Sequence, residues 1–375
     1  MKIAIEAQRI FRPKKHGMDF VALEMIRELQ KIDTVNEYRI YIKPDADRCL
    51  NETPNFKIVE LPSFGDYPVW EQWALPRAVE AWKPDILHCT SNTAPLYTTA
   101  KLVITLHDII FLEKGHEVGA KNKSLYQKFG KYYRKLVVPP VLKKAAKIIT
   151  VSKFEQKRIT EALQLPADKL TAVYNGFSNH FYPREFDQSV SKKYNLPQRY
   201  FFFLGNTDPK KNTQRVLQAY YEYVKQTPNP AHLVIADLKE DAISGFDAWK
   251  DDNCRSKIRL LGYVSNLDLP AIYSMADIFL YPSLRESFGI PILESMACGV
   301  PIITGNTSAM PEIAGSGALM VDPFDEKDIL TKILALEHNP DLAQKQRAYG
   351  LQRVKLFSWR NTAEDVLKIY QSLVK

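Results

Sequence analysis

Short apolar runs alternate with helical patterns along the whole chain, and this alternation restricts the fold more than any other feature. The runs are KIAIEA, YRIYIK, FKIVEL, DILHCT, LVITLHDI, AKIITVS and LTAVYN in the first half, and YFFFLG, AHLVIAD, KIRLLG, DIFLYPS, VPIITGN and GALMVD in the second. Strands that alternate with helices predict right-handed βαβ units and parallel sheets. Because most runs show little polar alternation, we expect helices on both faces of each sheet.

The length of 375 residues favours two domains of ordinary size. A polar stretch with two prolines, SNHFYPREFDQSVSKKYNLP, separates the two sets of runs. We therefore predict an α/β fold of two Rossmann-like, doubly wound domains facing a cleft, residues 1–178 and 200–356, joined by a linker at 179–199. Residues 357–375 are predicted as a C-terminal helix that is able to pack back on the first domain. Ligands of such sheets bind beyond the carboxyl ends of the strands, here in the cleft.

The signals of export and membrane insertion are missing. Glu6 and Arg9 interrupt the first apolar run, so it predicts a strand and not a signal peptide. No run approaches the ~18 apolar residues of a spanning helix. The four cysteines form no CxxC pair, which favours buried free thiols and a cytoplasmic location.

Several cofactor motifs are also missing. No GxGxxG follows a strand and no GxxxxGK[ST] occurs, which argues against a nicotinamide-dependent dehydrogenase and a P-loop kinase. The triplet Asp45-Ala46-Asp47 has the bare DxD pattern of metal-dependent sugar transferases, but a solvated loop is the favoured interpretation. The histidines lack zinc-ligand spacing. We expect no obligatory metal ion and no bound organic cofactor.

The stretch ESFGIPILE carries two glutamates, Glu286 and Glu294, around a glycine and a proline. Gly289 permits a tight turn and Pro291 suits the first turn of a helix running through Cys298. Glu286 is then expected on the loop and Glu294 in the first helical turn, on the same side. The N–H groups at the helix start favour a phosphate, and flanking carboxylates accept hydrogen bonds from hydroxyls. The pattern indicates a diphosphate with a sugar on each side.

With its surroundings, LGYVSNLDLPAIYSMADIFLYPSLRESFGIPILESMACGVPIITGNTSAMPEIAG and VDPFD, this stretch resembles the retaining, nucleotide-sugar-dependent glycosyltransferases with the GT-B fold. The resemblance covers about a sixth of the chain, and the E-x7-E signature with FG-x-P inside it is highly specific. It implies that Glu286 contacts the donor sugar hydroxyls and that Glu294 binds the ribose. The backbone from Ser287 through Phe288 and Gly289 to Ile290 would hold the sugar and phosphate.

Weaker similarities in GNTDPKKN, TLHDI and VYNG extend the resemblance. Lys211 matches the family lysine that pairs with the diphosphate, a role that suits a point charge at a departing anion. Many members carry an arginine where this chain has Asn206, so Asn206 is a predicted site residue whose role stays open. His107, at the end of a first-domain strand, matches the family histidine near the reaction centre. Gly17 opens a helix after the first strand and is predicted to approach the donor phosphate or the acceptor.

One segment carries the entire basic excess of the chain. Residues 121–158 contain twelve Lys and Arg against one Glu, whereas the whole chain has a formal net charge of +8. On a helix, Leu125, Phe129, Tyr132, Tyr133 and Leu136 fall near one face. Two interpretations remain open: a solvated basic helix whose aromatic stripe packs into its own domain, or an interfacial patch for anionic lipid headgroups. Nucleic acid is disfavoured because no recognition module accompanies the charge.

The function predicted from these residues is transfer of a hexose from a nucleoside diphosphate sugar to a saccharide or lipid-linked acceptor, with retention of configuration and without a metal. Mannose from GDP-mannose is the first candidate donor, in cell-surface polysaccharide or glycolipid synthesis at or near the inner face of the membrane. A UDP-glucose- or UDP-N-acetylglucosamine-dependent transferase, a nucleotide-sugar epimerase and a non-catalytic nucleotide-sugar-binding subunit are the alternatives.

Overall fold

The structure of the protein is a computed structural model that describes residues 1–62, 67–112, 125–166 and 168–374, with side chains omitted at 125–128. The chain divides into two compact units. Unit 1 comprises Met1–Gly176 and Trp359–Lys375, and unit 2 comprises Phe177–Ser358.

Unit 1 is built on a seven-stranded parallel sheet in the order β3-β2-β1-β4-β5-β6-β7. Its strands are β1 Lys2–Glu6, β2 Glu37–Ile42, β3 Phe56–Glu60, β4 Ile86–Cys89, β5 Lys101–Thr105, β6 Lys147–Thr150 and β7 Leu170–Ala172. The strand order reverses between β1 and β4. Loops at such a reversal leave in opposite directions and open a crevice at the carboxyl ends of the strands.

The helices of unit 1 cover both faces of this sheet. They are α1 Gly17–Ile32, α2 Tyr67–Val69, α3 Leu75–Trp82, α4 Leu125–Lys144, α5 Lys153–Leu163 and, from the chain terminus, α15 Trp359–Leu373. A π-helical turn, Trp70–Ala74, joins α2 to α3, and a 3₁₀ turn covers Ile110–Leu112. Helix α15 packs on α1, and Tyr370 of α15 reaches the buried His88 of β4, where its Oη lies 2.5 Å from Nδ1.

Unit 2 repeats the plan with a six-stranded parallel sheet in the order β10-β9-β8-β11-β12-β13. The strands are β8 Tyr200–Leu204, β9 His232–Ala236, β10 Ile258–Gly262, β11 Ile278–Tyr281, β12 Ile302–Gly305 and β13 Ala318–Val321. The helices are α6 Gln188–Tyr194, α7 Thr213–Gln226, α8 Asp247–Lys250, α9 Asp252–Arg255, α10 Leu269–Ser274, α11 Ile290–Ala297, α12 Met310–Ala314, α13 Glu326–Glu337 and α14 Pro340–Arg353. The order reverses between β8 and β11.

The predicted fold class is confirmed: each predicted run is a strand, and both sheets are parallel and doubly wound. The segment predicted as a linker, 179–199, lies within unit 2 and contains helix α6. The Asp45-Ala46-Asp47 triplet is engaged internally, since Asp47 pairs with Lys15 and Asp45 Oδ1 accepts from Ala46 N at 2.7 Å.

The described ranges contain neither a membrane-spanning helix nor a metal-binding cluster. They contain no helix long and apolar enough to cross a bilayer. They also contain no group of three or more His, Cys, Asp or Glu side chains arranged to hold a metal ion. Cys49, Cys89, Cys254 and Cys298 are free thiols, of which Cys49 is only half-buried.

Candidate functional site

Lys211 and Glu286 form an ion pair at the point where the strand order of unit 2 reverses. Lys211 lies in a 3₁₀ turn, Pro209–Lys211, in the loop that follows β8. Glu286 lies in the loop that follows β11, the strand beside β8. Lys211 Nζ and Glu286 Oε1 are 2.8 Å apart, and their side chains are 18% and 12% exposed. The pair is therefore partly shielded from water yet reachable from the carboxyl ends of the strands.

Tyr281, the last residue of β11, completes this pair. Lys211 Nζ donates to Tyr281 Oη at 3.1 Å and lies 4.8 Å from the centre of the tyrosine ring. Burial raises the pKa of Glu286, but the charges of Lys211 and Lys210 and hydrogen bonds from Lys211 and Tyr281 outweigh it and lower the pKa overall. Glu286 is thus an anion at neutral pH that accepts hydrogen bonds.

The backbone of the Glu286 loop is fixed to the loop after β12. Glu286 N donates to Ser308 Oγ at 2.9 Å, and Ala309 N donates to Glu286 O at 3.3 Å. Thr307 Oγ1 donates to the Leu284 carbonyl at 3.0 Å. Ser308 has a φ of +54°, an uncommon conformation for a residue other than glycine. These contacts hold Glu286 on the β12 side of the reversal point.

Helix α11 begins as the sequence predicted, at Ile290 with Pro291 in its first turn. Gly289 precedes it with a φ of +95°, and an added Cβ would come within 3.2 Å of Ile292 Cδ1, so the position requires glycine. Gly289, the residue before the helix, has no side chain with which to cap its first turn. Phe288 was predicted to help hold the donor. Its side chain is buried against Phe357, so only its backbone can contact a ligand. Ser287 and Ile290 are partly exposed.

Glu294 differs in one respect from its prediction. It is the fifth residue of α11 and therefore stands at the start of the second turn, not in the first turn. Tyr273 of α10 donates to Glu294 Oε2 at 3.5 Å. Burial raises the pKa of Glu294 to about 7, against the opposing effect of this hydrogen bond. The carboxyl group therefore changes charge near neutral pH.

The loop after β8 is ordered by asparagine side chains. Asn206 is exposed, and its Oδ1 accepts from Asp208 N at 2.8 Å, so in this structure the side chain shapes the turn before Lys211. Asn212 is buried with a φ of +63°, and its Nδ2 donates to the carbonyls of Pro282 at 3.0 Å and Pro323 at 2.6 Å. It thereby ties the Lys211 turn to the ends of β11 and β13.

Asn212, Tyr281 and Ser308 were not predicted as site residues. The only local signal was an asparagine directly before a helix, which tolerates the left-handed conformation. A tyrosine that ends an apolar strand and a serine after another strand carry no signal of their own.

His107 lies in unit 1, two residues beyond the end of β5, and is buried. Its backbone N–H donates to Asn92 Oδ1 at 2.6 Å, and its Nε2 lies 3.1 Å from the Thr90 carbonyl. Because a carbonyl only accepts, Nε2 carries a proton. Burial lowers the pKa of His107, against the opposing effects of Thr90 and Asp108, so the ring is neutral at neutral pH. Its Nδ1 has no hydrogen-bond partner within the described ranges.

Gly17 is the first residue of α1 and is exposed. An added Cβ would meet nothing within 4 Å, so no neighbour in the fold requires glycine here. The helix start beside it is charged: Asp19 accepts from His16 N at 2.8 Å and pairs with Arg9 and Arg12 at 3.2 and 2.5 Å. Gly17 and His107 belong to unit 1, whereas Lys211, Glu286 and Glu294 belong to unit 2.

The basic segment forms helix α4 over most of its described part, while residues 121–124 lie outside the described ranges, as does the Leu125 side chain. Phe129, Tyr132 and Leu136 are 52%, 63% and 56% exposed, so this part of the stripe does not pack into unit 1. Tyr133 departs from the predicted face. Its Oη donates to Glu71 at 2.6 Å inside the unit.

Family models match both halves of the chain. Residues 16–179 match Glycosyltransferase Family 4, and residues 185–353 match Glycosyl transferases group 1. The O-antigen chain mannosyltransferase B of Escherichia coli is 32% identical over 324 residues, which cover 82% of this chain and 78% of that protein. The serotype-specific mannosyltransferase WbdA of Escherichia coli is 27% identical over 73% of this chain, which spans only 34% of that longer protein.

A solved structure shares the whole fold. The sucrose-phosphate synthase of Thermosynechococcus elongatus superimposes with a TM-score of 0.75 at 18% identity, over 100% of this chain and 99% of that one. Together with the relatives, this establishes the class: the chain belongs to the GT-B glycosyltransferases of the family that includes the O-antigen chain mannosyltransferases. The resemblance predicted from the sequence is thereby confirmed.

Proposed function

We propose that this glycosyltransferase moves a hexose from a nucleoside diphosphate sugar to a saccharide or lipid-linked acceptor with retention of anomeric configuration and without a metal ion. The observation that carries the proposal is the Lys211–Glu286 pair at the reversal point of the unit 2 sheet, in the loop that leads into the start of α11. An ammonium group and a helix N-terminus attract a diphosphate, and the adjacent carboxylate accepts hydrogen bonds from sugar hydroxyls.

In the proposed chemistry, Lys211 neutralises the negative charge that develops on the diphosphate as the glycosidic bond breaks. Stabilisation of developing charge by a preorganised group is usually the largest single contribution to catalysis. Lys210 lies next to Lys211 and the start of α11 adds its partial positive charge, so positive charge is available without a metal. Glu286 fixes the departing sugar, and Glu294 holds the ribose hydroxyls.

Retention requires that the acceptor attack the face from which the diphosphate leaves. No carboxylate in the site is assigned as a covalent nucleophile, because Glu286 is already paired with Lys211. We therefore propose front-face attack within a short-lived ion pair, with the diphosphate oxygen accepting the acceptor proton. His107 presents a neutral ring with Nδ1 unengaged within the described ranges, and we assign it to the acceptor side of the reaction centre.

GDP-mannose is the proposed donor, because both relatives reported above are named mannosyltransferases, one of them of the O-antigen chain. The name of the O-antigen enzyme supports the proposal that the product belongs to a cell-surface polysaccharide. A UDP-glucose or UDP-N-acetylglucosamine donor is the second candidate. Lys211 and Glu286 are proposed to bind the diphosphate and the sugar, so they do not discriminate between guanine and uracil.

The first experiment compares donors. The purified protein is heated with GDP-mannose, GDP, UDP-glucose, UDP-N-acetylglucosamine and UDP, and the melting temperature is recorded. A shift with GDP-mannose that exceeds the shift with every UDP ligand supports the mannosyl assignment, because at equal concentration the ligand that binds more tightly stabilises the native state more. A shift with UDP ligands alone overturns it and leaves the transferase proposal intact.

The second experiment tests the reaction itself. Radiolabelled GDP-mannose is incubated with the protein and an extract of bacterial polysaccharide precursors, and the anomeric configuration of the new linkage is determined by NMR. Transfer with an α-linked product from the α-linked donor is expected, in the presence of a chelator as well as in its absence. Donor turnover to an isomeric sugar without any acceptor indicates the epimerase instead, and tight donor binding without turnover indicates a binding subunit.

We also propose that helix α4 of unit 1 contacts an anionic membrane surface. Its exposed Phe129, Tyr132 and Leu136 are apolar or amphipathic groups surrounded by cations. Nearby in unit 1, Trp73 and Tyr97 are also exposed, at 54% and 67%. The α4 residue Tyr133 bonds to Gln72, the neighbour of Trp73, and Lys144 donates to Leu96, the neighbour of Tyr97. Aromatic side chains among lysines suit the headgroup region of a bilayer that holds a lipid-linked acceptor.

A further inference from the structure

The position of His107 in unit 1 is set by the loop that follows β4. Asn92 accepts the backbone N–H of His107, and the Thr90 carbonyl accepts the proton on its Nε2. Asn92 has a φ of +66°, so this loop follows a tight path. Whatever moves Thr90 therefore moves the carbonyl that fixes the tautomer and orientation of the His107 ring.

Thr90 is in turn held by Glu6, the last residue of β1. Glu6 Oε2 accepts from Thr90 N at 3.2 Å, and Glu6 Oε1 accepts from Gln8 N at 2.9 Å. A third hydrogen bond connects the same two residues: the Thr90 side-chain Oγ1 donates to the backbone carbonyl of Glu6 at 2.9 Å. The Glu6 side chain thus clamps the loops that leave β1 and β4, the two strands at the reversal point of the unit 1 sheet.

A second buried carboxylate, Glu71, adjoins Glu6. It lies in the π-helical turn and accepts hydrogen bonds from four side chains: Tyr67, Gln72, Thr93 and Tyr133. Both glutamates are 1% exposed. Within the described ranges neither glutamate forms an ion pair. Both buried carboxyl groups accept hydrogen bonds from neutral N–H and O–H donors instead. Burial of that kind costs free energy, and an apolar replacement is often more stable.

We infer that Glu6 is a positioning residue for His107, acting through its two-armed grip on Gln8 and Thr90. This inference rests on the proposed role of His107 at the reaction centre. Only the ionised carboxylate offers a good acceptor to both N–H groups, because a protonated oxygen is a poor acceptor. Protonation of Glu6 therefore releases one arm of the grip and lets the Thr90 carbonyl shift away from the His107 ring.

The surroundings of Glu6 place this change near neutral pH. Its pKa is raised to about 7, because burial and the charge of Glu71 outweigh the hydrogen bonds from Gln8 and Thr90 and the charge of Arg9. The other titratable groups that face Glu6 are Cys89 and Tyr67, whose pKa values burial and the two carboxylates raise. The Cys89 thiol and the Tyr67 hydroxyl therefore stay protonated at neutral pH, whereas the His107 ring stays neutral. Burial also raises the pKa of Glu71, and the Glu71→Gln variant separates its titration from that of Glu6.

The test follows the ring of His107 directly by NMR, in protein labelled with ¹⁵N at histidine and assigned with the His107→Asn variant. In the wild type, we expect the Nε2 signal to shift between pH 6 and 8 with a midpoint near 7, above the lowered pKa of the His107 ring itself. In Glu6→Gln the shift disappears, because an amide binds one N–H group and opposes the other at every pH. A Nε2 signal that is constant in the wild type, or that still titrates in Glu6→Gln, overturns the inference.

The Glu71→Gln variant checks the direction in which the midpoint of the His107 shift moves. It also serves as a second variant if Glu6→Gln folds poorly. It removes the charge that raises the pKa of Glu6, so the midpoint of the His107 shift should move to lower pH. An unchanged midpoint counts against the clamp. No donor or acceptor is needed for these measurements, so their outcome is independent of whether the proposed reaction is correct.

The kinetic counterpart uses GDP release from GDP-mannose with octyl α-mannoside as the acceptor probe. Glu6→Gln should lower kcat by ~10- to 100-fold at pH 8, the cost of a misplaced reacting group, with the KM for donor unchanged. The wild-type kcat should fall below pH 7, and that of Glu6→Gln should be flat. Glu294 also titrates near pH 7, so a pH dependence that survives in Glu6→Gln and is lost in Glu294→Gln assigns it to unit 2 and overturns the inference.

Discussion

At the scale of single residues, Lys211 and Glu286 set each other's charge state. Lys211→Ala removes the cation that offsets the burial of Glu286, so the pKa of Glu286 should rise. It also removes the group that faces the departing diphosphate. We expect transfer to slow by at least ~100-fold and donor binding to weaken, as happens when one preorganised charge stabiliser is lost. Steady-state kinetics and calorimetric titration with GDP measure the two effects.

Lys210→Ala is the matched control for this prediction. Lys210 is the adjacent lysine of the same turn, and its ammonium lies 3.8 Å from Asp208, with 43% of its side chain exposed. The Lys210→Ala variant should lose far less transfer activity than Lys211→Ala. Glu286→Gln completes the set: it should reduce transfer much more than GDP affinity, because its proposed partner is the sugar. Near-normal kinetics of Lys211→Ala would remove that residue from the active site.

Glu294 provides a prediction about pH and stability. Its folded pKa of about 7 lies above the ordinary value of 4.5, so the folded state binds more protons than the unfolded chain between these values. The contribution of Glu294 to stability is fully present below pH 4.5 and is lost as the pH rises through 7. Glu294→Gln avoids this loss and should be stabilised relative to the wild type at pH 8 by at most about 3 kcal/mol more than at pH 4.5.

Melting temperatures of the wild type and Glu294→Gln, measured without ligand at both pH values, check this prediction. Glu6 titrates over the same range but is present in both proteins, so its effect cancels in the comparison. If the difference in melting temperature between the two proteins is the same at both pH values, folding does not raise the pKa of Glu294.

At the scale of elements, the Lys211 turn depends on Asn212. Asn212→Ala leaves the carbonyls of Pro282 and Pro323 without their side-chain donor and places alanine in a left-handed conformation. An unsatisfied buried acceptor costs about 1–3 kcal/mol. We expect a loss of roughly 3 kcal/mol in the free energy of unfolding of unit 2, and at least ~10-fold weaker GDP binding because the turn is no longer tied to β11 and β13.

Asn195→Ala separates the two causes. Asn195 ends helix α6, has a similar φ of +49° and is exposed, so alanine there meets the same backbone preference without losing buried hydrogen bonds. Urea unfolding of both variants isolates the contribution of the side-chain bonds. If Asn195→Ala is as destabilised as Asn212→Ala, the bonds to Pro282 and Pro323 contribute little.

The elements themselves were predictable because their signals are local. Short runs rich in apolar residues mark the strands, which are three to six residues long, and Gly289 with Pro291 marks the start of α11. The contacts that shape the site join segments far apart in sequence: Asn212 and Pro323 are 111 residues apart, and Glu286 and Ser308 are 22 apart. No periodic pattern encodes such pairs. Tyr133 points inward because Glu71, on a π-helical turn, accepts its hydrogen bond, and the sequence pattern did not predict that turn.

At the scale of the whole molecule, two units with the same winding carry different chemistry at the same topological point. Unit 2 presents a cation beside a carboxylate where β8 and β11 diverge. Unit 1 buries two carboxyl groups where β1 and β4 diverge, and fixes a neutral histidine after the next strand. We propose the first site for the diphosphate of the donor, and the neutral His107 ring of the second for the hydroxyl of the acceptor. The segment that carries the basic excess of the chain, residues 121–158, belongs to unit 1.

The last prediction concerns this basic excess. If α4 docks on anionic lipid, the protein should float with vesicles that contain phosphatidylglycerol at low salt, and the bound fraction should fall steeply as salt rises. Exposed charges are screened beyond a Debye length of about 8–10 Å at physiological ionic strength, and each basic residue near the surface contributes about 1 kcal/mol. Neutral vesicles should bind only weakly.

Replacing Lys128, Lys131 and Lys135 with Glu should abolish flotation and leave GDP affinity unchanged, because the residues proposed to hold the donor lie in unit 2. The matched control replaces Lys225, Lys250 and Lys345, exposed lysines of unit 2, and changes the net charge by the same amount. Loss of flotation in both variants would mean that net charge alone drives binding. If the wild type and both variants all stay in the soluble fraction at low salt, α4 is a solvated face and the acceptor reaches the enzyme without it.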